Sequence, residues 1–263
     1  MLQTLRGARA LHVRAVLPRA GVDTTVFLVH GAGGRADQWR LVTPALEAAG
    51  LGVVSYDALG HGDSPAPRRW REYAGSQWVA DLRALVKAHG SARNVLVGHS
   101  YGTGVVLGAL AQGLDGIERA LLLAPPAPEA YLQRLWISHL PVALLERLRP
   151  KLSAGFRAAA WGPDALSALV DEETEISDRN SLYVFKAMWR QRLRLDLAAL
   201  RSLTLQVQVL AGKFDRLTPP AGAARLARSL RHCDLSVLPR CGHQIPLEQP
   251  QAVIDAVLAQ GAQ

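Results

Sequence analysis

The chain contains no long apolar run and no secretory signal pattern. No uninterrupted apolar stretch reaches the length of about 20 residues that a membrane-spanning helix requires, so we predict no stable insertion into a membrane. Residues 1–20 contain four arginines and no acidic residue, a composition loosely like that of an organellar transit peptide, but they lack a long apolar core. The alternation at residues 8–16 fits a first β-strand better, and we expect a cytoplasmic protein.

Cysteine is also scarce, with only Cys233 and Cys241 in the sequence. They lie on either side of a strand-like run at residues 235–238, and an extended chain of that length separates the two thiols by about 25 Å. We therefore expect free thiols in a reducing compartment rather than a disulfide. Two thiols without a histidine at ligand spacing predict no zinc site, and nothing in the sequence predicts another metal or a cofactor.

Lysine is rare although the formal net charge is +8. Arginines supply most of the positive charge and are scattered along the whole chain. No dense basic run interleaved with aromatic residues is present, as a nucleic-acid-binding surface would require. The charge pattern therefore predicts no nucleic-acid partner. The lysines are Lys87, Lys151, Lys186 and Lys213.

Apolar residues are plentiful, at 49% of the 263 residues, which is enough to bury a sizeable core. Short apolar runs alternate with helix-like patterns, an order typical of a mostly parallel sheet with helices on both faces. The predicted strands are residues 8–16, 25–29, 53–56, 95–97, 120–123, 205–210 and 235–238. The predicted helices are residues 36–49, 77–89, 103–112, 220–230 and 246–259.

One stretch, residues 125–200, interrupts this alternation. It contains helical pieces separated by prolines and glycines, among them Pro150 and Gly155, and about half of the aromatic residues of the chain. We predict a helical insertion, or cap, over the carboxyl ends of the strands, where sites form in such sheets. Most of its aromatic residues are expected to pack within the insertion. The predicted core domain is then residues 1–125 and 201–263, and the predicted cap is residues 126–200.

The most distinctive motif is Gly98-His99-Ser100-Tyr101-Gly102, which lies between a predicted strand and a predicted helix. A serine with glycine two residues away on each side is typical of a nucleophile elbow in this context. Such a turn holds the serine backbone in a sparsely allowed conformation and leaves no room for side chains at the flanking positions. Alone, the motif also fits a glycine-rich turn without chemistry, so its interpretation depends on partner residues elsewhere.

Two partner residues occur in the required order. A serine hydroxyl becomes a nucleophile only when a base removes its proton, and a carboxylate must orient that base. Asp215 follows one predicted strand and precedes a proline-initiated helix, while His243 follows the last predicted strand and precedes the last predicted helix. This placement predicts that Ser100, Asp215 and His243 meet at one edge of one sheet.

Five ordered motifs make the chain resemble the α/β-hydrolase superfamily of serine hydrolases, and in particular its abhydrolase-domain esterases and lipases. This resemblance covers nearly the whole sequence. The motifs are His30-Gly31-Ala32-Gly33-Gly34 with Trp39, Tyr56-Asp57 through Gly60-His61-Gly62-Asp63-Ser64, the elbow at Ser100, Gly212 with Asp215 and Pro219, and Gly242-His243 with Glu248 and Pro250.

The resemblance implies an α/β-hydrolase fold with a mostly parallel eight-stranded sheet, helices on both faces and a helical cap. It assigns Ser100 as the nucleophile, His243 as the general acid and base, and Asp215 as the carboxylate that orients His243. It places the oxyanion hole at the backbone amides of Ala32 and Tyr101. Substrate-binding residues, oligomeric state and the physiological substrate are not predicted.

The other histidines are assigned no chemistry. His30 and His61 are expected to support loop shape, and alternation along the strand is expected to point His99 away from the nucleophile. Asp57 and Asp63 fit turn and hydrogen-bonding positions. No companion signal accompanies the remaining histidines, which are His12, His89, His139 and His232.

We expect a hydrolase of carboxylic esters that works through an acyl-enzyme on Ser100. A finer resemblance, to mammalian abhydrolase-domain proteins grouped near the lysophospholipid lipases, rests on residues 93–102 and on Ala154-Gly155-Phe156-Arg157 and indicates a lipophilic acyl group. Relatives with aspartate at the elbow are excluded, whereas a hydroxynitrile lyase is formally allowed. Two alternatives stay open: hydrolysis of carbon–carbon bonds in ring-cleavage products, and a non-catalytic receptor for a small molecule.

Overall fold

The computed structural model describes residues 1–132, 136–191 and 193–259, and the strands within these ranges form one eight-stranded sheet. The strands lie side by side in the order β1-β2-β4-β3-β5-β6-β7-β8. β2 is antiparallel to β1 and β4, and every other neighbouring pair is parallel, which confirms the predicted fold class. Their bounds are β1 (Leu2–Arg6), β2 (Arg9–Val16), β3 (Thr24–Val29), β4 (Gly52–Asp57), β5 (Arg93–His99), β6 (Ile117–Leu123), β7 (Gln206–Gly212) and β8 (Cys233–Leu238).

Helices cover both faces of the sheet. Residues of α2, α3 and α8 belong to one buried apolar cluster, and residues of α1, α9 and α10 belong to a second cluster on the other face. No helix among the described residues is long and apolar enough to cross a bilayer. The helices are α1 (Thr43–Ala48), α2 (Gly75–His89), α3 (Tyr101–Ala111), α4 (Val142–Ala160), α5 (Ser167–Asp178), α6 (Leu182–Arg190), α7 (Leu197–Arg201), α8 (Pro220–Ser229), α9 (Ile245–Glu248) and α10 (Pro250–Leu258).

The central strands read as continuous apolar runs because both of their faces are buried. In β3, Val26 and Leu28 enter one cluster, whereas Phe27 and Val29 enter the other. Successive side chains of a strand point to opposite faces, so one apolar strand supplies both layers of the core. Full burial of each such side chain is worth about 1.5–3 kcal/mol, and this burial fixes the strand ends that carry the site.

The amino terminus is a hairpin, whereas only its second strand, at residues 8–16, was expected. Gly7 turns the chain with a φ of 54°, and β1 then pairs antiparallel with β2. The guanidinium of Arg9 lies 2.7 Å from the buried carboxylate of Asp81 on α2 and so ties the hairpin to the neighbouring helix. The first strand has little apolar pattern of its own, and its pairing with β2 holds it in place.

Prolines divide two of the predicted helices. The expected helix at residues 36–49 is a short 3-10 turn, Ala36–Trp39, followed by a separate helix that restarts with Pro44 in its first turn. The expected helix at residues 246–259 is divided in the same way, because Pro250 starts α10. Proline fits the first turn of a helix, where its missing N–H would have no partner, and it disrupts a helix interior.

In α4 the prediction is wrong in the opposite sense. One continuous helix runs through Pro150 and Gly155, although both were expected to separate helical pieces. A proline inside a helix is unfavourable by about 3 kcal/mol, so the helix must be held by its packing. α4 packs against α5 and α6. The described residues between β6 and β7 contain helices and 3-10 turns but no strand.

Candidate active site

Ser100 lies at the tip of the turn between β5 and α3. Its φ of 51° and ψ of −118° place a non-glycine residue in the left-handed half of conformational space. Its amide donates to the carbonyl of Leu123 at 2.8 Å, so the turn is anchored to the end of β6. Such a conformation costs about 1–3 kcal/mol and persists only where the surroundings enforce it.

The two glycines of the elbow are required by close backbone contacts. A Cβ atom at Gly102 would lie 2.4 Å from the carbonyl oxygen of Val29, and one at Gly98 would lie 2.7 Å from the carbonyl oxygen of Gly102. Both distances are too short for a real Cβ atom, and the obstructing atoms are backbone atoms that cannot move aside. The spacing Gly-x-Ser-x-Gly is thus a packing requirement as well as a functional signal.

Asp215 and His243 lie together on the loops that follow β7 and β8. Nδ1 of His243 lies 2.7 Å from Oδ2 of Asp215, and both side chains are buried. Because a carboxylate can only accept, Nδ1 carries a proton, and the neutral form of this ring has its lone pair on Nε2. Ser100 and His243 line the same cavity but share no hydrogen bond in the described part of the chain, and such contacts are often longer before substrate binds.

The Asp215 carboxylate is held in its ionised form. Burial would raise the pKa of Asp215, but the hydrogen bond and charge of His243, with donors from Thr218, lower it below the ordinary value. The amides of Leu217 and Thr218 each donate to Oδ1 at 2.8 Å. An ionised carboxylate is the form that can hold an imidazole N–H and stabilise an imidazolium ion.

Thr218 also contacts the Asp215–His243 pair, although it was not among the predicted site residues. Its hydroxyl lies 2.6 Å from Oδ2 of Asp215, 3.1 Å from Nδ1 of His243 and 3.0 Å from the carbonyl of Ala124. The only available signal was a hydroxyl residue three positions after an aspartate at a loop-to-helix junction.

Glu248 joins the His243 loop to the end of α4. Its carboxylate accepts from the amides of Gly162 at 2.7 Å, Gly242 at 3.0 Å and Gln244 at 3.0 Å. The amide of His243 also donates to the carbonyl of Ala160 at 2.6 Å. Burial raises the pKa of Glu248 above its ordinary value even though the three amide donors oppose that shift.

Replacing Glu248 by glutamine is expected to loosen this loop. All three contacts of the carboxylate are N–H donors, so the new NH2 group must face at least one of them. We expect Glu248→Gln to lower the free energy of unfolding by about 1–3 kcal/mol, the usual effect of an unmet buried hydrogen bond. Urea unfolding at neutral pH measures this change. Glu175→Gln, on the exposed side of α5, is the matched control, and equal stability of the two variants would contradict the assignment.

His99 makes a second buried contact with His243, through the backbone. Nε2 of His99 donates to the carbonyl of His243 at 2.8 Å, and Nδ1 of His99 lies 2.8 Å from Nε2 of Gln38. Burial lowers the pKa of His99 to about 3, so the ring is neutral and Nδ1 accepts from Gln38. His99 therefore contacts the backbone of the candidate base, and this contact was not predicted.

Ala32 and Tyr101, whose amides were expected to form the oxyanion hole, both line the same cavity as Ser100. A Cβ atom at Gly31 would lie 3.0 Å from Cβ of Ser100, so the loop containing Ala32 packs directly against the elbow. Tyr101 is the first residue of α3. Neither amide donates to another group among the residues described, which leaves both available to an oxyanion.

These groups open on a cavity of about 540 Å³. Part of its wall comes from the helical segment between β6 and β7, including Tyr131, Phe156, Phe185 and Trp189. The prediction that most aromatic residues of this segment only pack its own core is wrong, because these four of the seven line the cavity. A mostly apolar wall with a few polar groups is typical of a small-molecule site.

The residues that we expected to support loop shape do contact the backbone of nearby loops. Nε2 of His30 accepts from the amide of Ala58 at 2.9 Å, and its Nδ1 lies 2.6 Å from the carbonyl of Gly31. Burial lowers the pKa of His30 to about 4 and that of His61 to about 3. Asp57 accepts from the amides of two loops, at Ala36 and Asp63. These contacts hold the loops beside the site.

His12, Asp57 and Asp63 form one cluster that could hold a metal ion, with ligand atoms within 4.8 Å of one another. The carboxylate of Asp57 is already used by backbone amides. The pocket beside the cluster is lined by Arg14, Arg35 and Arg40, whose charges disfavour a cation. We assign no metal to this cluster.

Comparison with known proteins places these residues in a family context. The model of a family described as "Alpha/beta hydrolase family" matches residues 26–256. Protein ABHD8 of Bos taurus is 27% identical over 244 residues, which cover 89% of this chain and 55% of ABHD8, so the chain spans about half the length of that relative. The 2-hydroxymuconate semialdehyde hydrolase of Pseudomonas sp. (strain CF600) is 26% identical over 259 residues, which cover 91% of this chain and 87% of that protein.

A solved structure has the same architecture. The esterase EaEST from Exiguobacterium antarcticum matches with a TM-score of 0.80 and 17% sequence identity, over 95% of this chain and 94% of its own. At that identity the likeness concerns the fold alone.

Proposed function

The chain belongs to the alpha/beta hydrolase family, and we propose on that basis that it is a serine hydrolase that cleaves carboxylic esters through an acyl-enzyme on Ser100. The observation that carries the proposal is the convergence of three groups on one cavity. They are a serine in a strained elbow, a buried His243–Asp215 pair, and the unused amides of Ala32 and Tyr101.

The proposed reaction proceeds in two halves. His243 Nε2 takes the proton of Ser100, and Oγ attacks the ester carbonyl to give a tetrahedral oxyanion. The amides of Ala32 and Tyr101 stabilise that oxyanion, and one such donor is worth about 3–4 kcal/mol of the barrier. The proton then passes from His243 to the departing alcohol. In the second half His243 deprotonates a water molecule, which attacks the acyl-enzyme and releases the acid.

The substrate we propose is a small-molecule ester with a lipophilic acyl group. The aromatic and aliphatic wall of the cavity supports this choice. We treat residues 126–200 as a cap over the site, because their helices supply much of that wall. We also retain a cytoplasmic location without a nucleic-acid partner as a proposal, supported by the two free thiols and the diffuse positive charge.

A second candidate is hydrolysis of a carbon–carbon bond in a ring-cleavage product. It is favoured by the similarity to the 2-hydroxymuconate semialdehyde hydrolase, which extends over most of both chains. The same three side chains would serve that reaction. The two candidates differ in their substrate, so turnover of simple esters separates them from one another.

A fluorophosphonate probe and a graded ester panel test the ester proposal. We expect the probe to label Ser100, and p-nitrophenyl esters to be cleaved faster as the acyl chain lengthens until the cavity is filled. Mass spectrometry of the labelled peptide identifies the modified residue. Absence of a label on Ser100 would overturn the nucleophile assignment, and a preference for acetate over every longer ester would overturn the lipophilic acyl group.

A further inference from the structure

Lys186 is a cation at the wall of the cavity whose charge the proposed chemistry does not use. It lies on α6 and is half-buried, whereas Lys87, Lys151 and Lys213 are exposed. Its ammonium donates to the carbonyl of Leu140 at 2.6 Å and pairs with no carboxylate among the described residues. An ammonium carries three N–H donors, so most of its capacity is unused.

The other cations of the cavity wall have acidic partners. Both arginines of the wall form ion pairs, and the Glu173 carboxylate is also paired. Asp178 lies exposed at the end of α5 and forms no ion pair with Lys186. After these pairs are counted, Lys186 is the positive charge left without a partner at the described cavity wall. The pairs are Arg35–Asp37, Arg149–Glu146 and Arg40–Glu173.

Ser138 supplies a second, independent signal at the same part of the wall. It is 2% exposed and lines the cavity, and its hydroxyl has no hydrogen-bond partner among the residues that the structure describes. It belongs to the 3-10 turn Trp136–His139, which packs against α6 and immediately precedes Leu140. A buried hydroxyl without a partner is unfavourable, and a ligand oxygen at this place would satisfy it.

We propose that Lys186 and Ser138 bind an anionic oxygen group, a carboxylate or a phosphate, on the ester substrate. The proposal rests on the ester hydrolysis proposed above and narrows the substrate class to anionic esters. The ammonium supplies charge and donors, and the hydroxyl donates one more hydrogen bond to the same group. The apolar part of the wall then contacts the chain that links the anionic group to the ester.

Two esters of equal length test the proposal: mono-p-nitrophenyl glutarate, which is anionic, and p-nitrophenyl valerate, which is neutral. We expect the wild-type protein to have the lower KM for the glutarate ester. Lys186→Met should raise that KM by about 10-fold and raise the KM for valerate by a much smaller factor, because only the anionic ester loses an ion pair, and such a pair in a partly buried site is worth about a factor of 10. A p-nitrophenyl ester with a terminal phosphate distinguishes the two anion types by its own KM.

Three further variants test whether the preference depends on the charge of Lys186 and on the hydroxyl of Ser138. Lys186→Arg should retain the preference for the anionic ester, and Ser138→Ala should weaken it by a smaller factor. Lys151→Met, on the exposed side of α4, is the matched control and should change the KM of neither ester. Equal KM values of the two esters in the wild type, or an equal effect of Lys186→Met on both, would overturn the anion site.

Binding measurements separate this proposal from the ester proposal. Calorimetric titration of glutarate into the wild-type protein and into Lys186→Met needs no turnover. Binding that depends on Lys186 supports the anion site even if no ester is cleaved, which would reject the ester proposal alone. Cleavage of valerate with no glutarate binding would reject the anion site alone.

Discussion

Replacing Ser100 by alanine is expected to lower kcat for ester hydrolysis by about 10⁴-fold or more. The acyl-enzyme needs the oxygen that this change removes, and no other hydroxyl is placed at the tip of the elbow. Alanine tolerates the left-handed backbone no better and no worse than serine does, so the fold should be unaffected. Steady-state kinetics on a p-nitrophenyl ester, with thermal unfolding of the same sample, measures both effects.

Two companion variants make that result specific. Ser236→Ala, at an exposed position of β8, should retain full activity. Ser100→Gly should also be inactive but more stable than the wild type by about 1 kcal/mol, because glycine relieves the strain of a positive φ. Residual activity above one-tenth of the wild-type value in Ser100→Ala would contradict the assignment of Ser100 as nucleophile.

Replacing Asp215 by asparagine is expected to lower kcat by about 10⁴-fold with little change in structure. The asparagine oxygen can keep the two amide contacts of Leu217 and Thr218 at Oδ1. Its NH2 group then faces Nδ1 of His243 and must donate to it. That contact moves the imidazole proton to Nε2, so His243 can no longer accept the proton of Ser100.

The control for that variant is Asp234→Asn, an exposed carboxylate on β8 that accepts from Gln206. It should have wild-type kinetics. Nuclear magnetic resonance of the His243 ring nitrogens reports the tautomer directly, and we expect the proton on Nδ1 in the wild type and on Nε2 in Asp215→Asn. An Asp215→Asn protein with wild-type kcat would show that His243 does not depend on this carboxylate.

The central strands were predictable because a strand that is buried on both faces consists of consecutive apolar residues. β3 and β5 lie at the centre of the sheet and appear as continuous apolar runs. β1 was not predictable in the same way, since its residues are half-buried at best and it depends on pairing with β2. The course of α4 through Pro150 likewise depends on packing against α5 and α6, which no local pattern reports.

For the site, the sequence predicted the loops better than the contacts within them. Asp215 and His243 could be placed because each follows a strand whose carboxyl end lies at the same edge of the sheet. The bond from Gly162 to Glu248 joins residues 86 positions apart, and the bond between Gln38 and His99 joins residues 61 positions apart. Contacts of that kind depend on how the loops pack, and no spacing rule in the sequence describes them.

The attachment of the His243 loop to the end of α4 determines how this fold can be recombined with its relatives. Exchanging the whole of residues 126–200 would also replace Ala160 and Gly162, whose backbone groups hold the loop. A chimera that retains residues 159–162 and exchanges the helices around them keeps the histidine supported while the cavity wall is replaced. The structural boundary between the cavity wall and the His243 loop therefore falls inside the helical segment and not at the ends of the flanking strands.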